Sequence, residues 1–140
     1  MPYKNIVVGI AETETSKQAG RRAFELAELC GARVHVVTSV TEGEVAVIEI
    51  GSDTFHIDEL EAAEAAVREF VESLSPAVEW EVVRHHDKPA AAILAVAEEV
   101  EADLIVVGNV RMQGIKRVMG SVGNDIAHRA PCSVLIVKTV

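Results

Sequence analysis

The chain has 140 residues, of which 49% are hydrophobic and 4% aromatic, and its formal net charge at pH 7 is -9. This length favours a single domain spanning residues 1–140, with a core built mainly from aliphatic side chains. The acidic balance argues against binding to nucleic acid or to anionic membranes, because both need clustered Lys and Arg. No signal segment opens the chain and no apolar run approaches membrane-spanning length, so we expect a cytoplasmic protein.

Apolar runs and amphipathic stretches alternate along the chain and predict alternating strands and helices. A first strand is predicted at Tyr3–Ile10, and Thr15 with Gln18 predicts a capping box at the start of a helix that ends near Cys30. The elements predicted after it are a strand at Arg33–Val40, an irregular insert at Thr41–Asp53, a helix at about Phe55–Leu74, a strand at Val78–His85, a helix from Pro89 to about Val100, a strand at Leu104–Gly108, a helix at Ser121–Arg129 and a strand at Ser133–Val137.

This order predicts an α/β fold. Helical connections of such length give right-handed parallel crossovers, so we expect one doubly wound, Rossmann-like sheet of five parallel strands with helices on both faces. Ligands bind such a sheet outside the carboxyl ends of the strands, where the winding direction reverses.

A basic loop punctuated by glycine lies between the last two strands. Gly108, Gly114 and Gly120 supply permissive backbone, and Ser121 opens a helix whose free N–H groups favour an anion. The loop also carries the basic residues Arg111, Lys116 and Arg117, which can offset phosphate charge. The loop therefore predicts a phosphate site.

The same segment resembles the carboxy-terminal signature of the universal stress protein family. The resemblance rests on Gly108, Gly114, the pair Gly120–Ser121, Val122 and the closing APCSVLIV, and it extends back to KNIVVGI at the start. It implies the strand order 3-2-1-4-5 and a homodimer formed through the C-terminal strand. In ATP-binding members it also implies a cleft that holds an adenine nucleotide, ATP, ADP or AMP.

The resemblance assigns roles to individual positions. Gly108, Gly120, Ser121 and Val122 match phosphate and ribose positions of the family. Either Val37 or Thr38, at the end of the second strand, falls near its adenine contact.

Two departures from the family pattern bear on the ligand. Arg111 stands where a second glycine is usual, and it either fills the space beside the phosphates or brings a cation to them. The stretch Ile10-Ala11-Glu12-Thr13 replaces a sequence like Val-Asp-Gly-Ser, so Ala11 takes the place of a nucleotide-contacting aspartate and Glu12 lies one position along.

Two functions remain open from the sequence. Gly114, Gly120 and Ser121 favour a non-enzymatic regulatory dimer of the stress response that binds an adenine nucleotide. Ala11 and Arg111 favour a protein-interaction module that has lost nucleotide binding. The motifs G-x-x-x-x-G-K-S/T, G-x-G-x-x-G and G-x-S-x-G do not occur in the sequence, so we expect no enzyme.

Metal and disulfide chemistry are not expected. Cys30 and Cys132 are too few for a metal cluster or a disulfide framework, and reduced, inert thiols are the expectation. His85 and His86 are neighbours on a predicted strand and would point to opposite faces, which prevents convergence on one metal ion.

Overall fold

The computed structural model describes residues 3–11, 13–39, 53–85, 87–108 and 121–138. Strands and helices alternate along these residues. In chain order they are β1 (Asn5–Gly9), α1 (Glu14–Cys30), β2 (Arg33–Ser39), α2 (Asp53–Glu72), β3 (Glu79–His85), α3 (Pro89–Glu99), β4 (Leu104–Gly108), α4 (Ser121–Arg129) and β5 (Ser133–Val137).

The strands form a parallel sheet in the order β3-β2-β1-β4-β5. Both the predicted fold class and the predicted strand order are therefore confirmed. β1 and β4 lie at the centre, and the near-continuous apolar sequence of each strand is explained by cover on both faces.

Helices cover the two faces of the sheet in pairs. Because successive strand residues point to opposite faces, each strand supplies two cores. On one face, Phe24 of α1 and Val71 of α2 join a core that includes Val8. On the other face, Ile93 of α3 and Ile126 of α4 join a core that includes Val7. The cover on both faces confirms the predicted double winding.

The start of α1 differs from the prediction. The N-cap is Thr13, whose backbone is extended (φ -98°, ψ 148°) and whose side chain accepts a hydrogen bond from the Ser16 N–H. The predicted capping box at Thr15 is wrong, since Thr15 already lies inside the helix. The helix ends at Cys30, as predicted, and Gly31 after it takes the left-handed conformation (φ 72°), with its N–H donating to the Ala27 carbonyl.

Other boundaries shift by a few residues. β1 is shorter than the predicted Tyr3–Ile10, and α2 begins at Asp53, which the sequence had assigned to the insert. The rest of that insert, residues 41–52, lies outside the described residues. No helix among the described residues is both long enough and apolar enough to cross a membrane.

Candidate functional site

The winding direction of the sheet reverses between β1 and β4. From β1 the chain moves outward through β2 to β3, and it then returns to β4 on the other side of β1. The two central strands are paired in parallel, with Ile6 opposite Leu104 and Val8 opposite Val106. α1, which follows β1 in the chain, and α4, which follows β4, pack on opposite faces of the sheet, which opens a crevice at the carboxyl ends of the strands.

The connection from β1 to α1 is fixed by the Ser16 hydroxyl. The Ala11 N–H donates to Ser16 Oγ at 2.9 Å, and Ser16 Oγ lies 3.2 Å from the Ala11 carbonyl oxygen. The Thr13 hydroxyl donates to Ser16 Oγ at 3.0 Å. These bonds hold the loop against the first turn of α1.

The end of β2 lies directly beside this loop. The Ile10 N–H donates to the Val37 carbonyl at 3.1 Å, which continues the pairing of β1 with β2 beyond the end of β1. The side chain of Val37 belongs to the α3 side of the sheet and is 3% exposed. Thr38 Oγ1 is buried and has no hydrogen-bond partner among the described residues.

The start of α4 lies on the other side of the crevice, and its first N–H groups have no partner within the helix. β4 ends at Gly108 and α4 begins at Ser121, as predicted. Its first turn contains no acidic side chain, whereas His128 and Arg129 lie in its last turn. The positive end of the helix dipole is therefore not offset within the helix, and it favours an anion. Val122 packs partly against the core beneath α4.

Two glycines beside the crevice permit close packing, and sequence reasoning missed both. A Cβ at Gly9, the last residue of β1, would lie 2.8 Å from Ile93 Cδ1 of α3. A Cβ at Gly20 of α1 would lie 2.7 Å from Ile10 Cδ1. In the sequence, Gly9 stands out only as part of KNIVVGI. This motif does not indicate that Ile93, far along the chain, packs against Gly9.

The structure brings several of the predicted site residues to this edge of the sheet. They are Ile10, Ala11, Val37, Thr38, Gly108, Ser121 and Val122. Others lie outside the described residues, namely Glu12, Arg111, Gly114, Lys116, Arg117 and Gly120. The ligand roles of both sets remain predictions. Ser16 also lies at this edge and was not predicted as a site residue. The run of hydroxyl side chains at Thr13, Thr15 and Ser16 is the sequence feature that could have indicated its role.

Among the described residues, no three His, Cys, Asp or Glu side chains are grouped as metal ligands would be. His85 Nδ1 instead lies 3.4 Å from an oxygen of Asp87. Cys30 and Cys132 are free thiols. Burial and, secondly, the Asp103 carboxylate raise the pKa of the Cys132 thiol, which makes it a poor nucleophile at neutral pH.

Known proteins resemble the chain over nearly its whole length. A model of the universal stress protein family matches residues 2–138. Universal stress protein MJ0531 of Methanocaldococcus jannaschii is 30% identical over 97% of this chain and 82% of its own. A universal stress protein solved in complex with cAMP is 26% identical, with a TM-score of 0.74 over 100% of both chains. The universal stress protein of Archaeoglobus fulgidus in complex with dAMP is 26% identical, with a TM-score of 0.70 over 99% of this chain and 100% of its own. The chain thus belongs to the universal stress protein family.

Proposed function

We propose that this protein binds an adenine nucleotide, ATP, ADP or AMP, at the switch point of its sheet and acts as a regulatory dimer in a stress response. One observation carries the proposal. The start of α4, with free N–H groups and no acidic side chain in its first turn, lies beside the crevice of a fold in which two relatives were solved with cAMP and dAMP.

The phosphates would lie at the start of α4. The N–H groups of Ser121 and Val122 would donate to phosphate oxygens, and Gly108 and Gly120 would let the backbone approach closely. Gly114 would give the intervening loop the freedom to wrap the phosphates.

The base would lie at the opposite end of the crevice. β2 is two strands away from β4 in the sheet, a distance of about 10 Å at the usual strand spacing, which a nucleotide spans. The base would therefore lie beside the backbone of Ile10 and Ala11 after β1, and beside Val37 or Thr38 at the end of β2. We call these four residues the base end. Glu12 follows Ala11 in the same loop.

A charge placed at the start of α4 tests the phosphate contact. The variant Ser121→Asp adds a carboxylate at a helix N-terminus, where it favours the helix but repels phosphate. Isothermal titration with ATP, ADP and AMP should show saturable binding in the parent and a loss of at least about tenfold in Ser121→Asp, since hydrogen bonds to charged groups are worth about 1.5–3 kcal/mol. The control is Ala127→Asp, an exposed position six residues further along α4, which adds the same charge well beyond the N–H groups of the first turn.

The second candidate function is a protein-interaction module that no longer binds nucleotide. It is favoured by Ala11, an exposed methyl group whose backbone N–H is already bonded to Ser16. The absence of binding in the parent at millimolar ATP, together with no nucleotide in a native mass spectrum of the purified protein, would replace the first proposal with this one.

Arg111 affects the proposed site in one of two opposite directions. If its side chain fills space beside the phosphates, Arg111→Gly tightens ATP binding. If its cation reaches the phosphates, Arg111→Gly weakens binding, and more strongly at low salt because charge interactions are then less screened. Titrations of this variant at two salt concentrations decide between them.

We expect binding without turnover. The proposed phosphate contacts are the backbone N–H groups of Ser121 and Val122, and they include no general base or carboxylate that would hold a divalent metal ion beside the phosphates. Steady-state release of phosphate from ATP at about 1 per second, as in ordinary enzymes, would contradict this expectation.

The proposed dimer would form through β5. It lies at an edge of the sheet, and Ile136 on this strand is a large apolar side chain that is 40% exposed. Open sheet edges with apolar side chains are usually covered in proteins.

We also propose that residues 1–140 form one domain, in line with a family match that runs without a break over residues 2–138. A cytoplasmic location is proposed as well, because the two free thiols would stay reduced there.

A further inference from the structure

The loop after β1 is attached to α1 at two places. The first is the Ser16 hydroxyl, which accepts from the Ala11 N–H at 2.9 Å. The second is the side chain of Ile10, which is 2% exposed and belongs to the core between the sheet and the helices α1 and α2. Ile10 therefore anchors the base end from inside the core, next to the residue whose backbone Ser16 holds.

Gly20 of α1 is the residue against which the Ile10 side chain packs. A Cβ at Gly20 would lie 2.7 Å from Ile10 Cδ1 and 3.3 Å from Ile10 Cγ1. Carbon atoms pack best at about 3.5–4.0 Å, so a methyl group at position 20 would have to displace Ile10. Glycine is unfavourable inside a helix, and the close approach of Ile10 explains why it stands here.

Phe70 of α2 bounds the same space. Its Cε2 atom would lie 3.5 Å from a Cβ at Gly20, which is an ordinary contact distance. The cations of Lys17 and Arg21, both on α1, lie 5.5 and 5.4 Å from the centre of the Phe70 ring, where a cation is attracted to an aromatic ring. We call the contact of Gly20 with Ile10 and Phe70 the seam.

We infer that Gly20 and Phe70 are positioning residues for the loop after β1, and that they act on it through the side chain of Ile10. The seam between α1 and α2 then sets where the Ala11 backbone lies at the crevice. The inference rests on the proposed function where it concerns ligand affinity, since the position of the loop is a property of the protein alone. Packing at the seam and binding at the base end then affect each other by the same factor.

Hydrogen exchange at the Ala11 amide, followed by NMR, reports the position of the loop without any ligand. The bond to Ser16 Oγ protects this amide, and a displacement of Ile10, the preceding residue, would weaken the bond. Gly20→Ala should therefore speed exchange at Ala11 by about tenfold or more, as expected for an extra methyl group in a packed core. Ile10→Val removes Cδ1, the nearest atom, so the double variant should exchange at the rate of Ile10→Val alone.

Two further variants separate this effect from a general loss of stability. Ala27 is 1% exposed in the same core and lies seven residues further along α1, about 10 Å along the helix axis. Ala27→Val should lower the free energy of unfolding and leave exchange at Ala11 unchanged, because a loop amide exchanges through local opening. Phe70→Leu removes the ring that bounds the seam, which loosens Ile10, and it should speed exchange at Ala11 as Gly20→Ala does.

Isothermal titration with AMP measures the consequence for the site. Gly20→Ala should weaken binding by about two- to thirtyfold, and the added Ile10→Val should restore it.

Each contrary outcome has its own meaning. Unchanged exchange at Ala11 in Gly20→Ala overturns the inference, because Ile10 then turns aside without moving the loop. Equal acceleration in Ala27→Val overturns it as well, and so does a double variant that exchanges as fast as Gly20→Ala. Faster exchange with unchanged AMP affinity overturns the coupling of the seam to the site. A parent that binds no AMP contradicts the proposed function, and exchange at Ala11 then decides the role of Gly20 by itself.

Discussion

His35 and Glu81 face each other across β2 and β3, with 2.5 Å between His35 Nδ1 and Glu81 Oε2. The other ring nitrogen of His35 lies 3.0 Å from Asn5 Oδ1 of β1. His35 is a buried polar residue, only 5% exposed, whereas the Glu81 side chain is 41% exposed. A buried ring without partners would destabilise the sheet, so these contacts hold three adjacent strands in register at the end opposite the crevice.

The first prediction concerns the strength of this pair. We expect His35→Leu to destabilise the fold by about 1–3 kcal/mol, because the two hydrogen bonds made by this buried ring are lost. A double-mutant cycle with Glu81→Gln should give a coupling energy of at least about 0.5 kcal/mol, as found for residues in one hydrogen-bond network. Urea unfolding followed by circular dichroism provides the measurement.

The neighbouring pair on the same two strands is the control. Arg33 and Glu79 lie 4.0 Å apart, with side chains 48% and 84% exposed. An exposed pair at this distance contributes roughly 0–1 kcal/mol. A cycle on Arg33→Gln and Glu79→Gln that gives a coupling as large as the His35 cycle would contradict the special role of the buried pair.

The second prediction concerns the loop after β1. Ser16→Ala removes the acceptor of the Ala11 N–H and the neighbour of Thr13 Oγ1, and we expect a loss of about 1 kcal/mol in the free energy of unfolding. Ser73→Ala removes a hydroxyl that donates to the Phe70 carbonyl at 2.6 Å in an exposed turn. This control should lose no more than about 0.5 kcal/mol. Equal losses in the two variants would mean that the Ser16 bonds do not brace the loop.

The strands and their order could be predicted from the sequence. β1 and β4 are short and almost entirely apolar, and helices of predictable length separate the strands. The rules for parallel crossovers leave few arrangements of such elements, and the family resemblance then implied the order.

The start of α1 could not be predicted in the same way. Thr13, Thr15 and Ser16 are all residue types that cap helices, and the choice depends on which of them has extended backbone. The contact of Gly9 with Ile93 could not be predicted from the sequence either. Periodicity assigns a residue to a face, but it does not say which distant side chain packs there.

The candidate site was predictable in part. The Gly120–Ser121 pair marked the start of α4, and the ends of β1 and β2 followed from the strand pattern. The sequence left Val37 and Thr38 as alternatives because a shift of one residue changes the face. In the structure Val37 belongs to the core beneath α3, and Thr38 Oγ1 is buried without a partner among the described residues.

The third prediction concerns pH. Burial and the Asp103 carboxylate raise the pKa of the Cys132 thiol in the folded protein. The folded state therefore holds this proton more tightly than the unfolded state does. The resulting stability is fully present below the ordinary thiol pKa of about 8.5, and it is lost as the pH rises through the folded value.

Unfolding measured at a series of alkaline pH values tests this linkage. The free energy of unfolding of the parent should fall more steeply above about pH 8.5 than that of Cys132→Ala, which has no thiol to titrate at this position. Cys30→Ala keeps Cys132 and should follow the parent. Identical alkaline slopes in the parent and Cys132→Ala would contradict the raised pKa.

The last prediction concerns the proposed dimer. We expect light scattering at micromolar concentration to show a dimer for the parent. Ile136→Glu would place a carboxylate in the interface along β5, and burying an unpaired charge is strongly unfavourable. The variant should weaken the dimer by about 2 kcal/mol or more, which is roughly thirtyfold. The matched control is Leu29→Glu, because Leu29 on α1 is also a large apolar side chain and is 77% exposed. A monomeric parent, or a dimer that dissociates in Leu29→Glu and persists in Ile136→Glu, would rule out assembly through β5.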